Sequence, residues 1–170
     1  PCVRSMYLDY DDEAVFKAKR YIFEQAKRGD DVPFMLTLSM IQPHDPYLCR
    51  QDKWDLYKEE DIDLPRVPLG SVEEDPHSTS LRHGYGADEI DLDETTIRNA
   101  RRAYYGSISD IDDKVADVMN TLQEAGMADN TIIIFTGDHG DMLGERGMWF
   151  KMSYFEHSAR IPLIIHAPSM

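Results

Sequence analysis

Apolar residues recur at helical spacing near the start of the chain: Val15, Ala18, Ile22, Phe23 and Ala26 share one stripe. The stripe predicts a helix from about Asp11 to Arg28, capped by Asp9 or Asp11 and stopped by Gly29. The pattern then changes. Phe34-Met35-Leu36-Thr37-Leu38-Ser39-Met40 is apolar almost without interruption, which predicts a buried strand. From Ile41 to about Ile90 the periodicity disappears, and Pro43, Pro46, Pro65, Pro68 and Pro76 fall among many charges. A structureless stretch of this length is unusual in a compact domain and is often functional. It reads as an excursion over one face that begins and ends near the sheet.

Helical spacing returns from about Asp93 to Ala125, with Ile97, Ala100, Tyr104, Ile108, Ile111, Val115, Val118, Met119 and Leu122 as its apolar stripe. Asp91 and Glu94 stand at capping-box spacing, and Gly126 suits the stop. Gly106, inside the stripe, marks either a bend or a close packing contact. Thr131-Ile132-Ile133-Ile134-Phe135-Thr136 is the clearest strand, β-branched and continuous as a central parallel strand would be. Pro162-Leu163-Ile164-Ile165-His166 is a third. This order predicts an α/β fold: a largely parallel β-sheet flanked by helices, in one domain spanning residues 1–170. Pro1 is no natural start and no closing helix follows the third strand, so the domain is expected to be incomplete at both ends.

Charge narrows the function. Acidic residues outnumber basic ones, 32 against 18, for a formal net charge of −14. A nucleic-acid surface needs a basic patch, so nucleic acid is not an expected partner. No apolar run approaches the ~20 residues of a membrane span, so no membrane partner is expected either. Pro1-Cys2-Val3-Arg4 is not followed by the apolar segment of a secretory signal. Cys2 and Cys49 make neither a disulfide framework nor a zinc site, and read as reduced thiols of a cytoplasmic protein, with the periplasm as the alternative.

Three segments carry candidate chemistry. Thr136-Gly137-Asp138-His139-Gly140-Asp141 follows the clearest strand, and ligands in α/β sheets bind at strand C-termini. Asp138 offers a hard oxygen donor to a divalent cation, and His139 an imidazole suited to softer metals. The plain alternative is a turn in which Asp138 bonds nearby backbone amides. Ile41-Gln42-Pro43-His44-Asp45-Pro46-Tyr47 follows the first predicted strand, with prolines stiffening the backbone on both sides of His44. A fixed imidazole beside an anion can donate a hydrogen bond or move a proton. The alternative is a histidine that fills a turn. Gly144-Glu145-Arg146-Gly147-Met148-Trp149-Phe150-Lys151 brings an ammonium that could steady a leaving oxyanion; the alternative is a solvated lysine beside core aromatics. Glu145 with Arg146, and Glu156 with Arg160, are expected as structural ion pairs. Asp11-Asp12 and Asp30-Asp31 follow no buried strand and are read as helix-flanking charges.

Taken together, Gln42-Pro43-His44-Asp45-Pro46-Tyr47, Tyr104-Tyr105-Gly106-Ser107-Ile108-Ser109-Asp110-Ile111-Asp112 and Gly137-Asp138-His139-Gly140-Asp141-Met142-Leu143-Gly144-Glu145 resemble the type I sulfatases of the alkaline phosphatase superfamily. The likeness continues through Lys151 to Arg160-Ile161-Pro162-Leu163-Ile164, and Gly144 to Ser153 is most similar to the choline-sulfatase branch. The resemblance implies hydrolysis of a small-molecule sulfate ester such as choline sulfate, by an enzyme that is a homo-oligomer when intact. It implies Asp138 and His139 as a pair of metal ligands, His44 as a contact to a sulfate oxygen, and Lys151 as a sulfate ligand that stabilises the leaving oxygen. Calcium is the usual ion, with manganese or magnesium as alternatives; many family members carry Asn where His139 stands. The family's nucleophile is a formylglycine made within Cys/Ser-x-Pro-x-Arg. Neither Cys2-Val3-Arg4 nor Cys49-Arg50-Gln51-Asp52-Lys53 fits that motif, so the nucleophile and the first ligand pair are expected outside this chain, which alone should be inactive. Trp149, Tyr154 and Phe155 could wall a quaternary ammonium or serve as core. A phosphonate or phosphate ester hydrolase of the same scaffold is a second reading; a non-catalytic metal-binding or structural module is a third.

Overall fold

The computed structural model describes residues 1–30 and 32–168. Asp31, half of the Asp30-Asp31 pair read above as helix-flanking charge, lies outside the described residues. The chain forms two compact units. The first comprises Pro1–Tyr57, Ala103–Ile133 and the chain from His166; the second comprises Lys58–Arg102 and Ile134–Ile165.

In the first unit, α1 spans Met6–Arg28. It starts five residues earlier than its apolar stripe predicts, because Ser5 caps it: the Ser5 hydroxyl accepts from Leu8 N at 3.2 Å. Gly29 ends it at φ 64°, the left-handed stop expected there. Leu8, Val15, Ala18 and Ile22 form its buried face. Asp11, expected as a cap or flanking charge, sits on that same face and is fully buried. A short α2 follows at Gln51–Asp55.

Phe34 to Met40, expected as a buried strand, carries no regular secondary structure and pairs with no strand among the described residues. It runs beside α1, where Phe34 meets Tyr21 edge-to-face at 5.7 Å, and Met35 and Leu36 are exposed. An apolar run reports that a segment suits burial; it does not supply the neighbours that bury it.

The long helix, α4 (Glu94–Glu124), lies close to its predicted bounds. Asp93 caps it, accepting from Thr96 N at 2.7 Å, in place of the expected Asp91–Glu94 box. Gly126 follows at φ 69°. Its buried face differs from the apolar stripe. Ala103, Ile111 and Leu122 are buried as a helix face requires, but so are Ser107, Asp110 and Lys114, while Ile108 and Met119 are exposed. Gly106 is a close contact: a Cβ there would lie 2.9 Å from Cys49 Sγ. Cys49 is buried, Cys2 is partly exposed, and no disulfide joins them.

Charge joins α1 to α4. The Lys114 ammonium donates to Asp110 and Asp12, each at 2.8 Å, and Arg50 reaches Asp12 at 2.5 Å and Asp110 at 3.6 Å. Burial alone would pull Lys114 down, but its bonds to Asp110 and Asp12 outweigh that and hold it above its usual 10.5. Burial pushes Asp12 up, but Lys114 and then Arg50 outweigh it and hold the carboxyl below its usual 3.8.

In the second unit, the region expected to be structureless carries α3, Pro76–Gly84, as well as 3₁₀ turns at Glu59–Asp61 and Ala87–Glu89. Asp75 caps α3, accepting from Ser78 N at 3.0 Å, and Pro76 opens its first turn. Buried Arg82 joins Glu74 and Asp88 on either side of that helix. Proline and charge hid these short elements, because they are fixed by caps and by Arg82 instead of by an apolar stripe. β1 (Ile133–Thr136) and β2 (Leu163–His166) pair in one two-stranded sheet, and α5 (Glu156–Ala159) precedes β2. No helix of the described residues is long and apolar enough to cross a membrane.

Two predictions follow from the first unit. Gly106→Ala should destabilise the protein by about 1–3 kcal/mol through overpacking. The loss should shrink in a Cys49→Ala background, as read by denaturant unfolding. Lys114→Met should cost about 3–5 kcal/mol near neutral pH, because buried Asp110 loses its 2.8 Å ammonium and keeps only Arg50 at 3.6 Å. The raised lysine contributes stability below 10.5 that is lost as pH rises through its folded value; the lowered Asp12 contributes stability above 3.8 that is lost as pH falls through its folded value. Unfolding profiles of parent and variant should therefore converge at both extremes and differ most between them.

Candidate functional site

The His44 loop belongs to the first unit and is held from α1. The two Asp11 carboxylate oxygens accept from Ile41 N at 2.7 Å and Gln42 N at 3.1 Å. Burial dominates and pushes the Asp11 carboxyl above its usual 3.8, with the two backbone amides and Lys114 offsetting part of the effect. Gln42 Nε2 donates to Leu48 O at 3.1 Å, and Ser107 Oγ on α4 donates to the same carbonyl at 2.9 Å. These bonds close the loop from both ends. Between them His44 is partly exposed, with Nδ1 2.8 Å from Asp45 O and its ring edge-on to Tyr7 at 6.4 Å. The residues before this loop pair with no strand among the described residues, so His44 does not follow a sheet strand as expected.

Asp138, His139 and Lys151 belong to the second unit, on the loop that leaves β1. Thr136 Oγ1 donates to Pro162 O at 2.9 Å, fixing the end of β1 against the start of β2. Gly140 N donates to Ser158 O at 2.8 Å, and a Cβ at Gly140 would fall far inside contact distance of the His157 carbonyl oxygen. Only glycine permits that approach. The turn therefore projects Asp138, 89% exposed at its side chain, beside His139, with His139 Nε2 3.6 Å from Asp138 Oδ2. Asp138 Oδ1 also accepts from His139 N at 3.0 Å, so the backbone-turn role and the outward carboxylate coexist.

The donor set fits part of a divalent-cation shell: an outward carboxylate and an imidazole on a fixed turn. It is only part of one, since no group of three or more His, Cys, Asp or Glu side chains assembles among the described residues.

Beyond this turn the backbone is unusual. Leu143 (φ 46°), Arg146 (φ 57°) and Phe150 (φ 66°) are the non-glycine residues with positive φ among the described residues. All three lie between the Asp138-His139 pair and Lys151, which is half-buried. The expected Glu145–Arg146 ion pair is not formed. Glu145 is buried and accepts from Arg66 N at 3.0 Å and Val67 N at 2.9 Å, while the Arg146 guanidinium lies 4.4 Å over the Phe155 ring. Glu156 and Arg160 are linked through the backbone, Arg160 N donating to Glu156 O at 2.9 Å, and not as an ion pair. Of the aromatics considered for a quaternary ammonium, Phe155 already meets Arg146, Trp149 lies against Gly144, and Tyr154 is 93% exposed.

The sulfatase family model matches residues 2–170. This chain belongs to the sulfatase family. It is 43% identical over 169 residues to the choline-sulfatase of Rhizobium meliloti (strain 1021), covering 96% of this chain and 33% of that protein. Among solved structures, yidJ of Bacteroides fragilis, assigned as a sulfatase, is 30% identical with a TM-score of 0.68, covering 93% of this chain and 31% of that one. The phosphonate monoester hydrolase of Silicibacter pomeroyi is 25% identical with a TM-score of 0.66, covering 88% and 32%. The sulfatase chain thus spans about a third of the length of the relatives it matches. Its α/β class is that of these neighbours.

Sequence reasoning missed Asp11 and Glu145 as loop-holding groups. Asp11 left one signal: it falls between Leu8 and Val15 on the apolar face of α1. Glu145 left none, because flanking glycines erase any periodicity.

Gly140→Ala should displace the Asp138-His139 turn from the α5 backbone and destabilise by about 1–3 kcal/mol or more. A lowered thermal midpoint checks it; an unchanged one would show that the approach to His157 is not required.

Proposed function

We propose that the complete protein hydrolyses a small sulfate ester, with choline sulfate the first substrate to test. The observation that carries this reading is an outward carboxylate and imidazole on one fixed turn at the end of β1, in a chain matched to sulfatases along its length. The 43% identity to a choline-sulfatase supports the choice of ester.

Asp138 and His139 hold a divalent metal in this proposal, calcium first, with manganese or magnesium as alternatives. When bound, such an ion neutralises charge on sulfate oxygens and makes sulfur a better electrophile. His44 donates a hydrogen bond to a sulfate oxygen, from a ring whose Nδ1 stands 2.8 Å from Asp45 O. Lys151 stabilises the negative charge on the departing alkoxide oxygen. The nucleophile, a formylglycine in this family, has no matching motif here and would come from elsewhere in the protein. A cytoplasmic setting is part of the proposal, with the periplasm as the alternative, because two cysteines make no disulfide framework in the sequence. A homo-oligomeric complete enzyme is proposed on the family resemblance.

A phosphonate ester hydrolase is the second reading, favoured by the likeness to the Silicibacter pomeroyi enzyme. Sulfate and phosphonate esters share a tetrahedral centre with charged oxygens, so one site can serve both.

The complete protein should turn over choline sulfate faster than a phosphonate monoester, and a chelator should abolish the activity. His44→Ala should lower kcat/KM at least ~100-fold. A variant as fast as the parent would remove His44 from the mechanism, and preferential turnover of the phosphonate would favour the second reading.

A further inference from the structure

Between the Asp138-His139 turn and Lys151, three non-glycine residues hold left-handed backbone conformations. Such conformations are strained for residues with a Cβ and persist where surrounding contacts over-determine them. The contacts are identifiable. Glu145 is the central one, its carboxylate 3% exposed and shared between the Arg66 and Val67 amides. Returning the link, Arg146 N donates to Val67 O at 2.6 Å, so two consecutive residues of the turn are tied to the 65–69 segment in both directions. A Cβ at Gly147 would lie 3.0 Å from Leu69, so the same segment packs flat against the turn. Arg101 on α4 adds a second clamp: it donates to Leu143 O at 2.9 Å, pairs with Asp63 at 2.7 Å and stands 3.8 Å from Glu145. His157 Nε2 lies 3.7 Å from the same carboxylate. At the far end Tyr85 meets the Phe150 ring edge-on at 5.8 Å, and Phe150 O accepts from Met142 N at 2.7 Å.

We propose that Glu145 is a positioning residue: its buried carboxylate locks the 143–150 turn onto the 65–69 segment and thereby sets the place of the Lys151 ammonium. The inference rests on the reading of Lys151 as the group that meets the leaving oxygen. Glu145 touches no substrate. Its effect is geometric: a carboxamide in its place keeps one acceptor oxygen and turns an NH2 toward the other backbone donor, so one of the two amides loses its acceptor, the strained turn relaxes and Lys151 moves. A displacement near 1 Å at a reacting group can cost about 100-fold in rate.

The structure also specifies the signature. A lysine that stabilises the leaving oxygen matters most when that oxygen leaves poorly. In the complete enzyme, Glu145→Gln should therefore lower kcat on an alkyl sulfate about 10- to 100-fold, with KM changed far less, and lower kcat on nitrophenyl sulfate much less. The deciding comparison is the double variant Glu145→Gln/Lys151→Ala, which should be no slower than Lys151→Ala alone. Multiplying losses in the double variant would overturn the inference, as would equal losses of Glu145→Gln on both esters. Should Glu145→Gln fail to fold, Glu145→Asp takes its place: it keeps the charge but shortens the reach by one methylene, and the same non-additivity with Lys151→Ala is expected. The Lys151 reading is judged separately, by whether Lys151→Ala alone discriminates between the two esters. Its failure there leaves the additivity comparison as the test of Glu145.

Discussion

A loop outside helix and sheet carries backbone N–H groups that no ladder satisfies, and burying them without acceptors costs about 1–3 kcal/mol each. Each unit of this chain meets that constraint with one buried carboxylate shared between two consecutive amides. Asp11 serves Ile41 and Gln42; Glu145 serves Arg66 and Val67. A carboxylate is the side chain for this task, because it accepts on two oxygens at once and has no hydrogen of its own to place. Both pairs fix a loop that leads into candidate chemistry: His44 follows two residues after Gln42, and Lys151 ends the turn that Glu145 opens.

Within the first unit the same economy of polar groups shapes the helix pair. An apolar seam between α1 and α4 would bring burial without orientation. Lys114, set between Asp110 and Asp12, replaces part of that seam with directional bonds, and Gly106 lets Cys49 enter at a distance no other residue would permit. A buried ion network of this kind is weak evidence for added stability, but breaking it by removing one partner is costly. The long helix is thereby held in one register, and Ser107 on it can reach the Leu48 carbonyl that closes the His44 loop.

The second unit holds its candidate site residues on and beside a strained turn. Catalytic groups gain from rigid placement, and rigidity on a loop requires contacts that outnumber the loop's freedom. Glycine at 140, 144 and 147 gives the close approaches, and buried polar groups around Glu145 and Arg101 hold what glycine alone would leave loose. Fold by itself does not assign a reaction; the family membership comes from the whole-length match, and the chemistry must be argued from these side chains.

The sequence by itself determined the two long helices, the pair of β-branched strands and the position of the Asp138-His139 turn after β1. These follow from local spacing and β-branching, which act through neighbours in the chain. It also carried the family resemblance, because Pro-flanked His44 and the run from Gly137 to Lys151 are contiguous words. Tertiary structure alone decided which face of α4 is buried, that Asp11 lies inside instead of capping, that Phe34 to Met40 pairs with no strand among the described residues, and that Glu145 serves Arg66 and Val67 instead of Arg146. These depend on atoms about 30 to 100 residues apart in the chain, a separation at which periodicity is silent and only packing and unsatisfied hydrogen bonds choose the partner.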